Sequence, residues 1–310
     1  MSDSIGRSSG LGRRALLAGA VGLAAAATRS GEARTAPLTR AIPSSGEAMP
    51  LVGLGTWITF NVGRDPAALE ASAAVMRAFF EGGGRMIDSS PMYASSQDTI
   101  GYGLRKLGRQ DAVFSAEKVW TSSVEDGPRQ IEQSRHEWGV PRFDLMQVHN
   151  LVAWQEHLPR LQAMKREGRL RYVGITTSEG RRHEEFVRVM EQEKLDFVQV
   201  TYNVLDREVE KRILPLALER GIGVIANRPF REKALLRALA GKPLPPWSSE
   251  IGAASWAQFV LKFIVSHPAI VCAIPATTRV DHVRENLAAA SGPLPDETVR
   301  KSMADYVAAL

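Results

Sequence analysis

From Leu51 onward, short apolar runs alternate with longer stretches whose apolar residues recur every three or four positions. The short runs are Leu51–Gly55, Arg85–Asp88, Ala112–Glu117, Phe143–Val148, Arg171–Ile175, Phe197–Thr201, Gly223–Ala226 and Ile270–Ile274. Several are apolar on both faces, as parallel strands covered by helices are. Between them, Ala67–Glu81 puts Leu69, Ala73, Met76, Phe79 and Phe80 on one helical face. Arg182–Lys194 carries Phe186, Val189 and Met190 at the same spacing, and Val209–Arg220 carries Ile213, Leu216 and Ala217. Gly221 suits a helix C-cap, and Ser178 is the nearest capping candidate for the Arg182 helix. Strand and helix alternate through eight strands, which predicts an α/β fold, a (β/α)8 TIM barrel over residues 37–310. Leu38–Gly46 reads as a strand and turn, so an N-terminal β-hairpin is expected to plug one end of the barrel. A doubly wound sheet is the alternative, disfavoured because no G-x-G-x-x-G joins a strand to a helix. Gly101-Tyr102-Gly103 falls inside a helical pattern and reads as close packing. Pro243–Trp247 reads as a rigid connector or as a pocket wall.

Charge changes the picture mainly at the N-terminus. The first 36 residues hold five arginines against Asp3 and Glu32, so the chain's formal +5 falls to +2 for the remainder. A nearly neutral body has no electrostatic footprint for nucleic acid. In the leader, Arg13-Arg14 precede the uncharged run Ala15–Ala27, with small residues near a cleavage point after Ala27 or Ala33. That is the layout of a secretory signal, and the paired arginines resemble the twin-arginine type, which engages an export machinery for folded proteins. Residues 1–36 are therefore expected to be a signal and the mature protein periplasmic or exported, without a membrane span. Cys272, the single cysteine, sits in an apolar run and reads as an inert core residue.

Candidate chemistry clusters at the strand ends. Asp88 ends the second predicted strand, Tyr93 follows in its loop, Lys118 comes just after the third strand and His149 just after the fourth. In a (β/α)8 barrel those ends share one rim, where such folds carry their active sites. A phenol with pKa ~10 donates its proton poorly at neutral pH. A neighbouring ammonium favours phenolate, and a buried aspartate keeps that ammonium charged. Asp88, Lys118 and Tyr93 thus make a general-acid relay, and His149 can hydrogen-bond a substrate oxygen as it becomes negative. The set protonates a developing alkoxide but holds no electron source, so a hydride-donating cofactor is implied. No metal site is assigned.

Set in order, Gly53-Leu54-Gly55-Thr56-Trp57, Ile87-Asp88-Ser89-Ser90 with Tyr93, Lys118-Val119-Trp120, Gln147-Val148-His149-Asn150, Tyr172-Val173-Gly174-Ile175, Gln199-Val200 and Ile274-Pro275 with Glu285-Asn286 resemble the aldo-keto reductase superfamily. The resemblance implies an NADP(H)-dependent barrel with Tyr93 as acid, Asp88 and Lys118 as its tuners and His149 as carbonyl orienter. It implies reduction of an aldehyde or ketone to an alcohol, or the reverse; a non-catalytic NADP(H)-binding barrel acting as a redox sensor or partner-binding subunit is the alternative. Gln97 stands where a glutamate is common in the family.

For the cofactor, the resemblance brings in Gly55, Thr56, Trp57 and Asp88. Thr176, Thr177 and Gln199 stand where relatives have Ser, Asn and Gln around the carboxamide. Asn227-Arg228-Pro229-Phe230 replaces the family's stacking Tyr and its pyrophosphate Ser. Arg228 there is either a pyrophosphate ligand or half of a rim salt bridge. Ala276 and His282 replace the usual Lys and Arg at the 2′-phosphate, which leaves Thr277 and Arg279 as candidates beside a helix N-terminus. Glu285 and Asn286 match the adenine contacts. NADP(H) is the expected cofactor, with NAD(H) the alternative. Trp57, Trp120 and His149 are expected to meet the substrate, a small carbonyl or alcohol, with Trp247 a further candidate.

Overall fold

The structure is a computed structural model that describes residues 36–310. The leader, apart from Ala36, lies outside those residues. Two short antiparallel strands, β1 (Thr39–Ala41) and β2 (Ala48–Pro50), form the N-terminal hairpin. Eight parallel strands follow: β3 (Leu54–Gly55), β4 (Met86–Asp88), β5 (Phe114–Val119), β6 (Phe143–Val148), β7 (Leu170–Thr176), β8 (Phe197–Thr201), β9 (Gly223–Asn227) and β10 (Ile270–Ala273). They neighbour one another in chain order. Gly53 N–H to the Ala273 carbonyl (2.8 Å) and Gly55 N–H to the Pro275 carbonyl (3.0 Å) close the sheet between β3 and β10. The barrel is therefore closed, and the doubly wound alternative is set aside.

Two apolar layers hold it. Inside, Met86, Phe114, Ala116, Leu145, Tyr172, Phe197, Ile225 and Cys272 fill the lower barrel, and Ile42 and Met49 of the hairpin reach up into them. The hairpin is pinned as a plug by Glu47, which takes hydrogen bonds from Arg85 (2.9 Å) and Tyr172 (2.8 Å) and pairs with Arg171. Burial raises the Cys272 thiol pKa, which keeps it un-ionised. Outside, helices pack their apolar stripes on the strands; α1 (Pro66–Glu81) starts at Asp65, whose carboxylate accepts from Ala68 N–H at 2.8 Å. In α2 (Ser96–Leu107), a Cβ on Gly101 would stand 1.9 Å from the Glu137 carbonyl oxygen and one on Gly103 2.3 Å from Met76 Sδ. At Gly101 the obstacle is backbone, so only glycine allows that approach to α3 (Asp126–Trp138), whereas at Gly103 it is the flexible end of Met76 on α1.

Some boundaries moved for local reasons. Lys118 lies within β5 rather than beyond it. The expected helix from Val209 breaks at Arg212 (φ −143°), leaving a 3-10 turn, Glu208–Lys211, before α6 (Ile213–Arg220), which ends on left-handed Gly221. Ser178 does not cap α5 (His183–Gln192); left-handed Arg182 precedes it with no side-chain cap. Trp247 packs on Phe259 at 5.8 Å between ring centroids, and the proline-rich segment does not line the strand-end cavity described below.

Candidate active site

Strand alternation decides which side chains enter the barrel. In β5, Ala116 and Lys118 point inward while Glu117 points out between α2 and α3; in β4, Asp88 points inward. Asp88 and Lys118 meet at the upper end of the barrel, Lys118 Nζ 2.7 Å from Asp88 Oδ2, both essentially unexposed. Gln199 Nε2 donates to the other carboxylate oxygen at 2.7 Å, and Lys118 Nζ also donates to the Ser89 carbonyl at 2.5 Å. Burial by itself would lower the Lys118 pKa; Asp88, Tyr93 and Glu117 outweigh it, and the net direction is up. The ammonium is held charged.

Tyr93 ends a 3-10 turn, Pro91–Tyr93, begun by Ser90, whose Oγ accepts from Met92 N–H at 3.2 Å. Its ring lies 5.3 Å from Lys118 Nζ and edge-on to His149, with centroids 5.9 Å apart. The expectation that Lys118 lowers the phenol's pKa is met only as a contribution. Desolvation is larger, Asp88 and Glu117 add to it, and the phenol is pushed up to about 12. Tyr93 is thus fully protonated at neutral pH. His149 follows β6, its Nδ1 2.7 Å from Ser90 Oγ, and burial with help from Lys118 pushes its pKa down to about 3, so the ring is neutral.

Asp88, Tyr93 and His149 line one cavity of about 400 Å³ with Thr56, Trp57, Thr176, Thr177, Gln199, Asn227 and Arg228. Thr56 donates to the Asp88 carbonyl at 2.8 Å, and Asn227 is tied to Thr177 and Thr201 at 3.0 and 2.7 Å. Arg228 crosses the mouth: it stands 6.0 Å over the Trp57 ring and pairs with Glu179 (3.1 Å) and Glu232. Trp120 is 41% exposed and outside the cavity. Gly55 lies beside it, its Cα too close to the Ile274 carbonyl to carry a side chain. Thr277, Arg279, Glu285 and Asn286 lie after β10 and along α9 (Val280–Ala288), also outside it, with Arg279 paired to Asp281.

The sequence profile of the aldo/keto reductase family matches residues 51–304. The chain belongs to the aldo/keto reductase family. It is an oxidoreductase of that family, and its relatives are distant. Methylglyoxal reductase YeaE of Escherichia coli is 26% identical over 246 residues, 78% of this chain and 85% of that one. The NADH-specific methylglyoxal reductase of the same organism is 25% identical over 63% of this chain and 68% of its own. An aldo-keto reductase of Klebsiella pneumoniae, solved with NADPH, superposes with a TM-score of 0.72 at 23% identity, over 87% of this chain and 95% of that one.

Three features of this family member went without a role in the sequence reading. Ser90 is one, and Ser before Pro is a readable helix N-cap signal that marks the start of the turn carrying Tyr93. Glu117 is wholly buried behind Lys118, accepting from Gln97 (3.0 Å), Trp138 (2.8 Å) and Lys118 N–H (2.8 Å); burial pushes it up to about 8. The Gln97 that departs from the family pattern is thus paired with this carboxyl. Gln147, one strand over from Lys118, is unexposed with neither amide atom bonded to another of the described residues. Strand alternation assigns a face to both, but not the donors that meet Glu117 or the lack of a partner at Gln147 among the described residues.

Proposed function

We propose that this protein is an NADP(H)-dependent oxidoreductase that interconverts a small aldehyde or ketone and its alcohol, with Tyr93 as general acid and base. The carrying observation is the buried Asp88–Lys118 pair beside Tyr93, with His149 facing the same cavity. The donor set fits a dinucleotide. The Asp88-bonded amide of Gln199 and the hydroxyls of Thr176 and Thr177 would hold the carboxamide end, and Arg228 at the mouth would meet the pyrophosphate after exchanging a carboxylate for it. Arg279 beyond β10 would take the 2′-phosphate. A nicotinamide cofactor held there would supply the hydride for the carbonyl carbon.

The chain's residues handle the oxygen. His149, neutral, donates a hydrogen bond to the carbonyl oxygen and strengthens it as negative charge develops. Tyr93, protonated, gives that oxygen its proton. Lys118 stabilises the phenolate left behind, and Asp88 with Gln199 keeps the ammonium in place. In oxidation Tyr93 takes the proton back. An intact buried acid relay favours catalysis over a purely binding barrel, which has no use for one. Trp57, Met92 and Phe230 in the lining favour a small or apolar carbonyl, consistent with relatives named for methylglyoxal.

Purified protein should consume NADPH in the presence of methylglyoxal or an aromatic aldehyde, and Tyr93→Phe should lose a hundred- to ten-thousandfold in kcat while still binding NADPH. Undiminished turnover in Tyr93→Phe would remove Tyr93 as the acid. Tighter binding of NADH than of NADPH would reverse the cofactor assignment. We further propose export through the twin-arginine route, on the strength of Arg13-Arg14 and the apolar run after them. Fractionation finding only full-length protein in the cytoplasm would defeat that proposal.

A further inference from the structure

We propose that Ser90 is a positioning residue that fixes His149 as the tautomer with its hydrogen on Nε2, and so sets which way His149 hydrogen-bonds the substrate oxygen. The argument is a count of one hydroxyl's hydrogens and lone pairs. Ser90 is unexposed, and its Oγ has two neighbours among the described residues, Met92 N–H at 3.2 Å and His149 Nδ1 at 2.7 Å. The backbone N–H can only donate, so it occupies one lone pair of Oγ. The hydroxyl hydrogen then has one acceptor within reach, which is Nδ1. Were Nδ1 to carry a hydrogen of its own, the buried hydroxyl would be left without an acceptor, a costly arrangement. Nδ1 is therefore bare, and in a neutral ring the hydrogen sits on Nε2.

The other nitrogen is where that hydrogen is useful. His149 lines the cavity shared with Tyr93, and Nε2 bonds to none of the described residues while not being sealed off as an orphaned polar atom. The opposite tautomer would present a lone pair to a carbonyl oxygen and repel it. Ser90 also begins the turn that carries Tyr93, whose N–H donates to the Ser90 carbonyl at 2.9 Å. One residue thus places the proton donor and orients the hydrogen-bond donor opposite it. Tyr93 stands edge-on to the ring and the Lys118 ammonium acts on it electrostatically, and neither hydrogen-bonds Nδ1.

The catalytic consequence rests on the oxidoreductase reading; the tautomer does not, and the test separates them. With histidine labelled in ¹⁵N, the full-length protein at pH 7 should show His149 with a pyridine-like Nδ1 and a protonated Nε2. Ser90→Ala should lose that preference and show a mixed or reversed pattern, and Ser90→Thr, which keeps the hydroxyl, should restore it. In parallel, Ser90→Ala should lower kcat by ~10-fold or more, up to the ~10²–10³-fold lost when an oxyanion donor is itself removed. Its NADPH dissociation constant should stay within about twofold, and Ser90→Thr should recover turnover. A wild-type spectrum with hydrogen on Nδ1 would overturn the proposal, as would Ser90→Ala keeping the wild-type pattern. If Ser90→Ala does not fold, the wild-type and Ser90→Thr spectra still decide. A wild-type protein that reduces no carbonyl defeats the functional reading and leaves the spectral outcome standing.

Discussion

Removing one partner of the Asp88–Lys118 pair should cost far more than the pair is worth as a unit. At 2.7 Å and an effective dielectric of ~20, the attraction is about 6 kcal/mol, most of it offset by the desolvation of both charges. Lys118→Met leaves the Asp88 carboxylate buried with only Gln199 as a donor, and Asp88→Asn leaves the ammonium facing the Ser89 carbonyl. Each is expected to destabilise the protein by about 3–5 kcal/mol, the range for breaking a buried pair. The double variant removes both charges at once, so its cost should resemble one single substitution rather than their sum. Urea denaturation of the four proteins at pH 7, followed by circular dichroism, closes the cycle; each single variant should also melt roughly 10 °C lower. Additive costs, or a Lys118→Met variant within about 1 kcal/mol of wild type, would refute the claim that the two charges depend on each other.

The pH dependence of reduction tests which influence wins at Tyr93. With the phenol at about 12, the active protonated form persists and kcat/KM should hold up to at least pH 10; a fall centred near 9 would mean Lys118 outweighs burial after all. Glu117 makes a stability prediction of opposite slope to the usual carboxylate. Its folded pKa of about 8 exceeds the ordinary 4.5, so the native state holds a proton the unfolded chain has lost, and stability should decline as pH rises across that interval. Glu117→Gln should flatten the decline, and parallel curves would refute the shift. Ile58 is β-branched with φ 65° and 63% exposed at the cavity mouth. Ile58→Gly should relieve left-handed strain of about 1–2 kcal/mol, less glycine's extra unfolded-state entropy, and leave the melting temperature equal or slightly higher. Asp281→Asn should free Arg279 and tighten NADPH more than NADH, read by titrating cofactor fluorescence; equal effects on both would remove Arg279 from the 2′-phosphate.

The chain's alternating pattern determined the barrel, because parallel strands covered on both faces and amphipathic helices leave distinct periodicities in a linear string. It also determined the residue types at the strand ends. Asp88, Lys118 and His149 could be placed on one rim by counting from apolar runs, and Tyr93 by its loop. Helix starts were less legible: the left-handed residue before α5 and the break at Arg212 depend on how the connecting loops are packed, and no nearby side chain announces them. The tryptophans show the same limit. Trp57 lines the cavity, whereas Trp120 is exposed and Trp247 packs on Phe259, though all three look alike in sequence.

What only the tertiary structure decided is the balance of forces on the groups the sequence supplied. A lysine near a tyrosine predicts a lowered phenol pKa, yet burial reverses the sign, because desolvation depends on what surrounds the ring and not on its neighbours in the chain. Arg228 was either a phosphate ligand or a salt bridge; folded, it is held by Glu179 and Glu232 across the cavity mouth, a partnership of residues 49 and 4 positions away. Ser90 was two letters past Asp88. Its contact with His149 joins residues 59 positions apart, and that closure, made across the barrel rim from the end of β4 to the end of β6 with β5 between them, is what turns a serine into a constraint on the histidine's hydrogen.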